Sequence, residues 1–154
     1  MTTIYLLLLY LHLLQFVIHM AKDYKYSIEM KVRDYECDIQ GVVNNANYQH
    51  YLEHARHEFL ESAGGSFAAM HSQGVDPMVA KITMEYKRPL RSGDRFEVCI
   101  NIERKGAKLV FYQDIYNVAD GSLAVKGVVD IVCLKDGRLT RGEAFDEFLG
   151  NLSE

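Results

Sequence analysis

Paired cysteines are missing from this chain. Cys37, Cys99 and Cys133 make an odd set with no C-x-x-C spacing, which argues against a disulfide framework or a structural zinc site and implies a reducing, cytoplasmic setting. Runs of Lys or Arg are missing too. The formal net charge of −4 is spread along the sequence, so nothing resembles a nucleic-acid stripe or a lipid-headgroup patch. With two prolines and no internal repeat there is no candidate linker. The 154 residues therefore read as one domain with a single sizeable core.

One apolar run stands apart. Ile4 to Ile18 reads I-Y-L-L-L-L-Y-L-H-L-L-Q-F-V-I, with no Lys or Arg before Lys22. A signal peptide would carry a positive n-region and a small-residue cleavage site. A bilayer span would need roughly 20 apolar residues, and this run is shorter and contains His12 and Gln15. Met20 stands where the composition becomes that of a soluble domain. The expected organisation is an apolar extension over residues 1–19 and a folded domain over 20–154. The extension is expected to project from that domain, with membrane contact only if it belongs to the natural protein.

The rest alternates, turns helical, then alternates again. Tyr24 to Val32 has the period of a strand. Arg33 to Asn45 breaks that period and contains Gly41, which predicts a loop, and Asn44 or Asn45 is placed to cap a helix. From about Ala46 to Ala63 the residues Tyr48, Tyr51, Leu52, Ala55, Phe59 and Ala63 form one apolar stripe, with His50, His54, His57 and Glu61 behind it. Gly64-Gly65 stops the helix. Strands are predicted over Val79–Tyr86, around Phe96–Ile102, over Lys108–Val118 and over Leu123–Leu134. Turns at Ser92-Gly93-Asp94, Lys105-Gly106 and Asp120-Gly121 separate them, and a short helix from Glu143 closes the chain. Strand, long helix, then strands joined by tight turns is an α+β order with an antiparallel sheet and one principal helix.

Chemistry concentrates before that helix. Asp38 is a loop carboxylate close to a helix start, where unpaired N–H groups and the positive end of the macrodipole suit an anion or a developing oxyanion. Such a pair is a plausible hydrolytic device. A lone Asp in a loop also serves simply to cap or solvate it, and the residues alone leave both readings open.

The stretch D-Y-E-C-D-I-Q-G-V-V-N-N-A-N-Y-Q-H-Y-L-E-H-A-R resembles the signature of the 4-hydroxybenzoyl-CoA thioesterase family of hot-dog proteins. Asp38, Gly41, Val42, Val43, Asn47, Tyr48, Glu53, Ala55 and Arg56 carry the likeness, and Ile82 to Tyr86, Pro89 and Gly93-Asp94 extend it. The resemblance implies a hot-dog fold, an antiparallel sheet wrapped around one long central helix. It implies hydrolysis of an acyl-CoA or acyl-carrier-protein thioester, with Asp38 as nucleophile or general base and the backbone N–H of Asn45 polarising the carbonyl. Gly41, Val43, Asn44, Asn47 and Tyr48 are the implied substrate-side residues, and Tyr48 also reads as core. Asn44-Asn45 departs from the aromatic pair usual in the bacterial form. It resembles instead the group that includes the plant acyl-carrier-protein enzymes, which usually have His where this chain has Val42. The family further implies a homodimer or homotetramer, with no cofactor, no metal and no nucleic acid.

Competing features are weaker. His50, His54 and His57 share a helical face but lie on its polar back without an H-E-x-x-H. Cys37 has no His at a recognisable motif position and reads as packing. A hot-dog dehydratase would place a His in the loop before the helix, and that loop has none. A non-catalytic acyl-CoA-binding hot-dog is the alternative from another class.

Overall fold

A computed structural model describes residues 4–7 and 23–152. Of the apolar run, residues 4–7 form a helical turn with exposed side chains. The remainder of residues 1–19, and with it most of the expected extension, lies outside the described residues.

Strand β1 (Tyr26–Lys31) leads through a 3-10 turn at Asp34–Glu36 into helix α1 (Asn45–Ser62). A short helix α2 (Phe67–Ser72) and strand β2 (Val75–Tyr86) come after it. Next are β3 (Arg95–Lys105), β4 (Lys108–Asn117), β5 (Leu123–Lys135), β6 (Arg138–Leu139) and helix α3 (Glu143–Asn151). The sheet order is β1-β3-β4-β5-β2, with β6 beside β5 and every pairing antiparallel. Consecutive strands β1 and β2 thus occupy opposite edges, and the chain between them must cross the whole sheet. Four strand spacings of about 4.8 Å make roughly 19 Å, which an 18-residue helix spans with length to spare.

Alternation explains the core. Phe96, Val98 and Ile100 of β3, Ile115 of β4 and Val125 and Val129 of β5 are fully buried and share the cluster with Tyr48, Tyr51, Leu52, Ala55 and Phe59 of α1. His50, His54, His57 and Glu61 are exposed, as the helical stripe required. Helix and sheet approach closely at Gly127: a Cβ there would stand 2.8 Å from Leu52 Cδ1 and 3.1 Å from the Gln113 carbonyl oxygen. This is the antiparallel sheet and central helix of the hot-dog arrangement.

Four elements depart from the sequence expectation, the two-residue strand β6 among them. Helix α2 was not expected, because six residues are too few to establish a period. Its signal is Ser66, whose hydroxyl accepts from Ala69 N at 3.3 Å. Strand β2 begins at Val75 rather than Val79 and carries Pro77. A residue without an N–H is tolerated there because β2 is an edge. At the other edge β1 starts two residues late, and Tyr24 leaves the core phase, its hydroxyl donating to Asp114 Oδ2 at 2.8 Å. Among the described residues no helix is long and apolar enough to cross a membrane.

Candidate active site

The loop after β1 is built around a carboxylate that sequence reasoning missed. Glu36 is buried at 7% exposure. It accepts from Arg33 N at 2.8 Å, Arg33 Nη1 at 2.9 Å and Tyr51 Oη at 2.7 Å. Burial pushes its carboxyl upward, but the bonds from the Arg33 backbone, the Tyr51 hydroxyl and the Arg33 guanidinium outweigh that and hold it below the usual range. The Glu36 carbonyl accepts twice more, from Asn44 N at 2.9 Å and Asn47 Nδ2 at 2.7 Å. One residue therefore fastens the loop to both the start and the first turns of α1. The i,i+3 spacing of Arg33 and Glu36 was the available signal, but it marks surface pairs far more often than buried ones.

Beyond Glu36 the chain makes a miniature hairpin. Cys37 and Val43 form an antiparallel bridge, Asp38 N donates to Val42 O at 2.9 Å, and Gly41 N donates to Asp38 O at 2.9 Å. Gly41 has φ +74°, a left-handed backbone that closes this turn and that a side chain would strain. Asp38 sits at its base, half-buried, with Oδ1 accepting from Gln40 N at 2.8 Å. Its Oδ2 accepts no hydrogen bond among the described residues. Tyr35 and Ile39 of the same loop, and Tyr86, whose hydroxyl donates to the Asn45 carbonyl at 3.4 Å, are exposed at 76, 104 and 51%.

Helix α1 starts next to this turn. Asn44 is its N-cap: Oδ1 accepts from Ala46 N at 3.0 Å, and its carbonyl accepts from Asn47 N at 2.9 Å. Of the first three N–H groups of α1, that of Asn45 is left without an acceptor among the described residues. It points out of the positive end of the helix dipole. Asp38 and Asn45 thus offer one carboxylate oxygen and one N–H at the same junction.

The other expected residues stand behind these two. Gly41 and Asn44 shape the exposed turn and cap. Asn47 spends its amide on the Glu36 carbonyl. Val43 is buried and donates its N–H to Leu90 O at 2.8 Å, while buried Tyr48 accepts from Leu90 N at 3.2 Å. Leu90, fully buried, is thereby clamped from both sides, and the segment between β2 and β3 locks the hairpin down. Cys37 is a half-buried free thiol. His54 and His57 lie beside Glu58 and Glu53 at 3.9 and 4.0 Å, and no cluster of three His, Cys, Asp or Glu that could hold a metal occurs among the described residues.

Known proteins share both the sequence pattern and the fold. The sequence model of the thioesterase-like superfamily matches residues 32–151. A chloroplast acyl-acyl carrier protein thioesterase of Arabidopsis thaliana is 44% identical over 87 residues, covering 56% of this chain and 46% of that protein. The chain thus spans about half the length of that plant relative. The acyl-CoA thioester hydrolase YbgC of Escherichia coli is 36% identical over 100 residues, 64% of this chain and 74% of that protein. The crystal structure of a DHNA-CoA thioesterase from Staphylococcus aureus superposes with a TM-score of 0.73 at 26% identity, over 82% of this chain and 87% of that one.

Proposed function

The chain belongs to the thioesterase-like superfamily, and on that premise we propose that it hydrolyses the thioester of an acyl-CoA or acyl-carrier-protein substrate in the cytoplasm. The carbonyl oxygen accepts from the Asn45 N–H at the head of α1, which stabilises the negative charge that develops on it. Asp38 Oδ2 either takes a proton from the attacking water or attacks the carbonyl carbon itself to give a mixed anhydride that water then opens. In both routes the C–S bond breaks, the thiolate leaves and is protonated, and the acyl group ends as a carboxylate. Thiolates are good leaving groups, so one carboxylate and one oriented N–H suffice and no metal is called upon. Asn44 and Asn47 hold the helix start in place, and Gly41, Val43 and Tyr48 hold the hairpin against it.

One observation carries this reading. Asp38 Oδ2 and the Asn45 N–H, the two groups that the reaction needs, both stand open beside a loop that the Glu36, Asn44 and Asn47 hydrogen bonds hold in place. Thiol release measured across a panel of acyl-CoA and acyl-carrier-protein thioesters tests it, and no turnover of any member would refute it. A single turnover in ¹⁸O-labelled water identifies direct attack when label enters Asp38, which happens if water opens the anhydride at the Asp38 carboxyl carbon.

The expected assembly rests on β2. This 12-residue edge strand exposes Met78, Val79 and Tyr86 at 49, 48 and 51%, a long apolar edge of the kind that proteins cover. A symmetric dimer joined through β2, alone or within a tetramer, would cover it. Light scattering that gives the mass of one chain at micromolar concentration, with activity intact, would contradict it.

A further inference from the structure

The far end of α1 holds a second feature. A cavity of about 360 Å³ lies between that helix, the sheet, α2 and α3, walled by Phe59, Leu60, Phe111, Phe145 and Phe148. Its size is at the lower end of small-molecule sites. None of Asp38, Asn44 and Asn45 lines it, and the helix rises roughly 16 Å between Asn45 and Arg56.

Arg56 is the anomaly in this wall. Its residue is 7% exposed, yet the protein acceptor it meets is a neutral amide, with Nη1 donating to Gln113 Oε1 at 2.9 Å. Gln113 is itself fully buried and committed, donating Nε2 to the Leu52 carbonyl at 2.9 Å. The carboxylates that line the cavity, Glu53 and Asp76, lie beside His57 at 4.0 Å and His71 at 2.5 Å. No ion pair reaches Arg56 among the described residues. A guanidinium has five N–H donors and no way to shed its charge, and a buried cation without an anion is costly. Burial lowers the Arg56 pKa, and the charge of Glu53, one helical turn back, opposes that from outside ion-pair reach.

We propose that this cavity is a binding site for an amphiphilic carboxylate, its apolar body among the phenylalanines and its carboxylate on the Arg56 guanidinium. A planar fork of donors matches a carboxylate with two parallel bonds. A neutral apolar ligand would fill the walls but leave the charge unmet, and a phosphate would bring more charge than one cation answers. The ligand class is a medium-chain or aryl carboxylic acid. Such a site needs only the cavity and Arg56 and does not require that the chain hydrolyse thioesters.

Calorimetric titration of the full chain with octanoate and with 1-octanol tests it. Octanoate should bind the wild type roughly ten- to a hundredfold more tightly than the alcohol. Arg56→Met should erase that difference and Arg56→Lys should keep part of it. Asp38→Ala should bind octanoate as the wild type does, which separates this site from the hydrolytic one. Equal affinities in the wild type, no binding of either ligand, or a preference that survives Arg56→Met would each overturn the proposal. If Arg56→Met does not fold, the wild-type ratio and Arg56→Lys decide it.

Discussion

At its N-terminal end α1 meets a loop in which Glu36, Asn44 and Asn47 tie backbone and side chains together. At its C-terminal end it meets aromatic walls and one guanidinium bonded to an amide. The first end is rigid through hydrogen bonds and leaves an oxygen and an N–H uncommitted at its surface. The second is rigid through packing and leaves a charge short of a counter-ion in its interior. Reaction calls for a frame that holds a few groups ready beside solvent. Binding calls for a hollow that a ligand completes. In the two proposals one helix serves both, because its two ends differ in what the neighbouring chain brings to them.

The sharpest way to break the comparison is at Asp38. Asp38→Ala should fold, since the carboxylate supports only the Gln40 turn, and should lose on the order of 10²-fold or more in kcat. Asp38→Asn should be similarly impaired. Thiol-release kinetics alongside circular dichroism check this, and wild-type turnover in either variant would sink the assignment.

Glu36→Ala tests whether the polar end is a frame rather than a reagent. It strips partners from Tyr51 and the Arg33 backbone and should cost about 2–3 kcal/mol in urea unfolding, with activity falling as the loop loosens. The pH dependence has a definite sign. Because the folded carboxyl lies below its unfolded value, its contribution is complete above about pH 4.3 and is lost as pH falls through the lower native pKa. Wild-type and variant stabilities should converge in acid; a constant gap down to about pH 2 would count against the buried network.

Between the two ends, Gly127→Ala should destabilise by about 1–3 kcal/mol, because the new methyl meets Leu52 and the Gln113 carbonyl under the middle of the helix. Combined with Leu52→Ala, the loss should be smaller than the sum of the two single losses if the clash is the cause, and purely additive effects would show that it is not.

The smallest effect belongs to the cavity end. The hydrogen bond to Asp76 and then its charge raise the His71 pKa, tying α2 to the start of β2. That contribution is present below about pH 6.5 and is lost as pH rises through the raised native pKa. His71→Ala should therefore lower the melting temperature slightly at about pH 6 and leave it unchanged at about pH 9. A shift of the same size at both would assign the histidine a packing role instead.

Most of the architecture was legible from residue order. Alternation in β3 to β5 and the stripe from Tyr48 to Phe59 encode local period, which the backbone geometry of strand and helix imposes on any chain. Asp38, Gly41 and Asn44 were legible as well, because turn and cap chemistry is decided by neighbours in sequence. Glu36 and Arg56 were not. A charged residue reads as exposed until something buries it, and what buries these two is distant in sequence: α1 and Tyr51 over Glu36, Gln113 of β4 beside Arg56. The edge position of β2, which admits Pro77, and the pairing of its early residues with the end of β5 likewise arise when the strands assemble. Sequence by itself determined most of the helix and strand segments and where the candidate turn lies. Tertiary structure decided which polar groups lose water and which are left open, because desolvation depends on every element that closes over a group and not on the residues beside it.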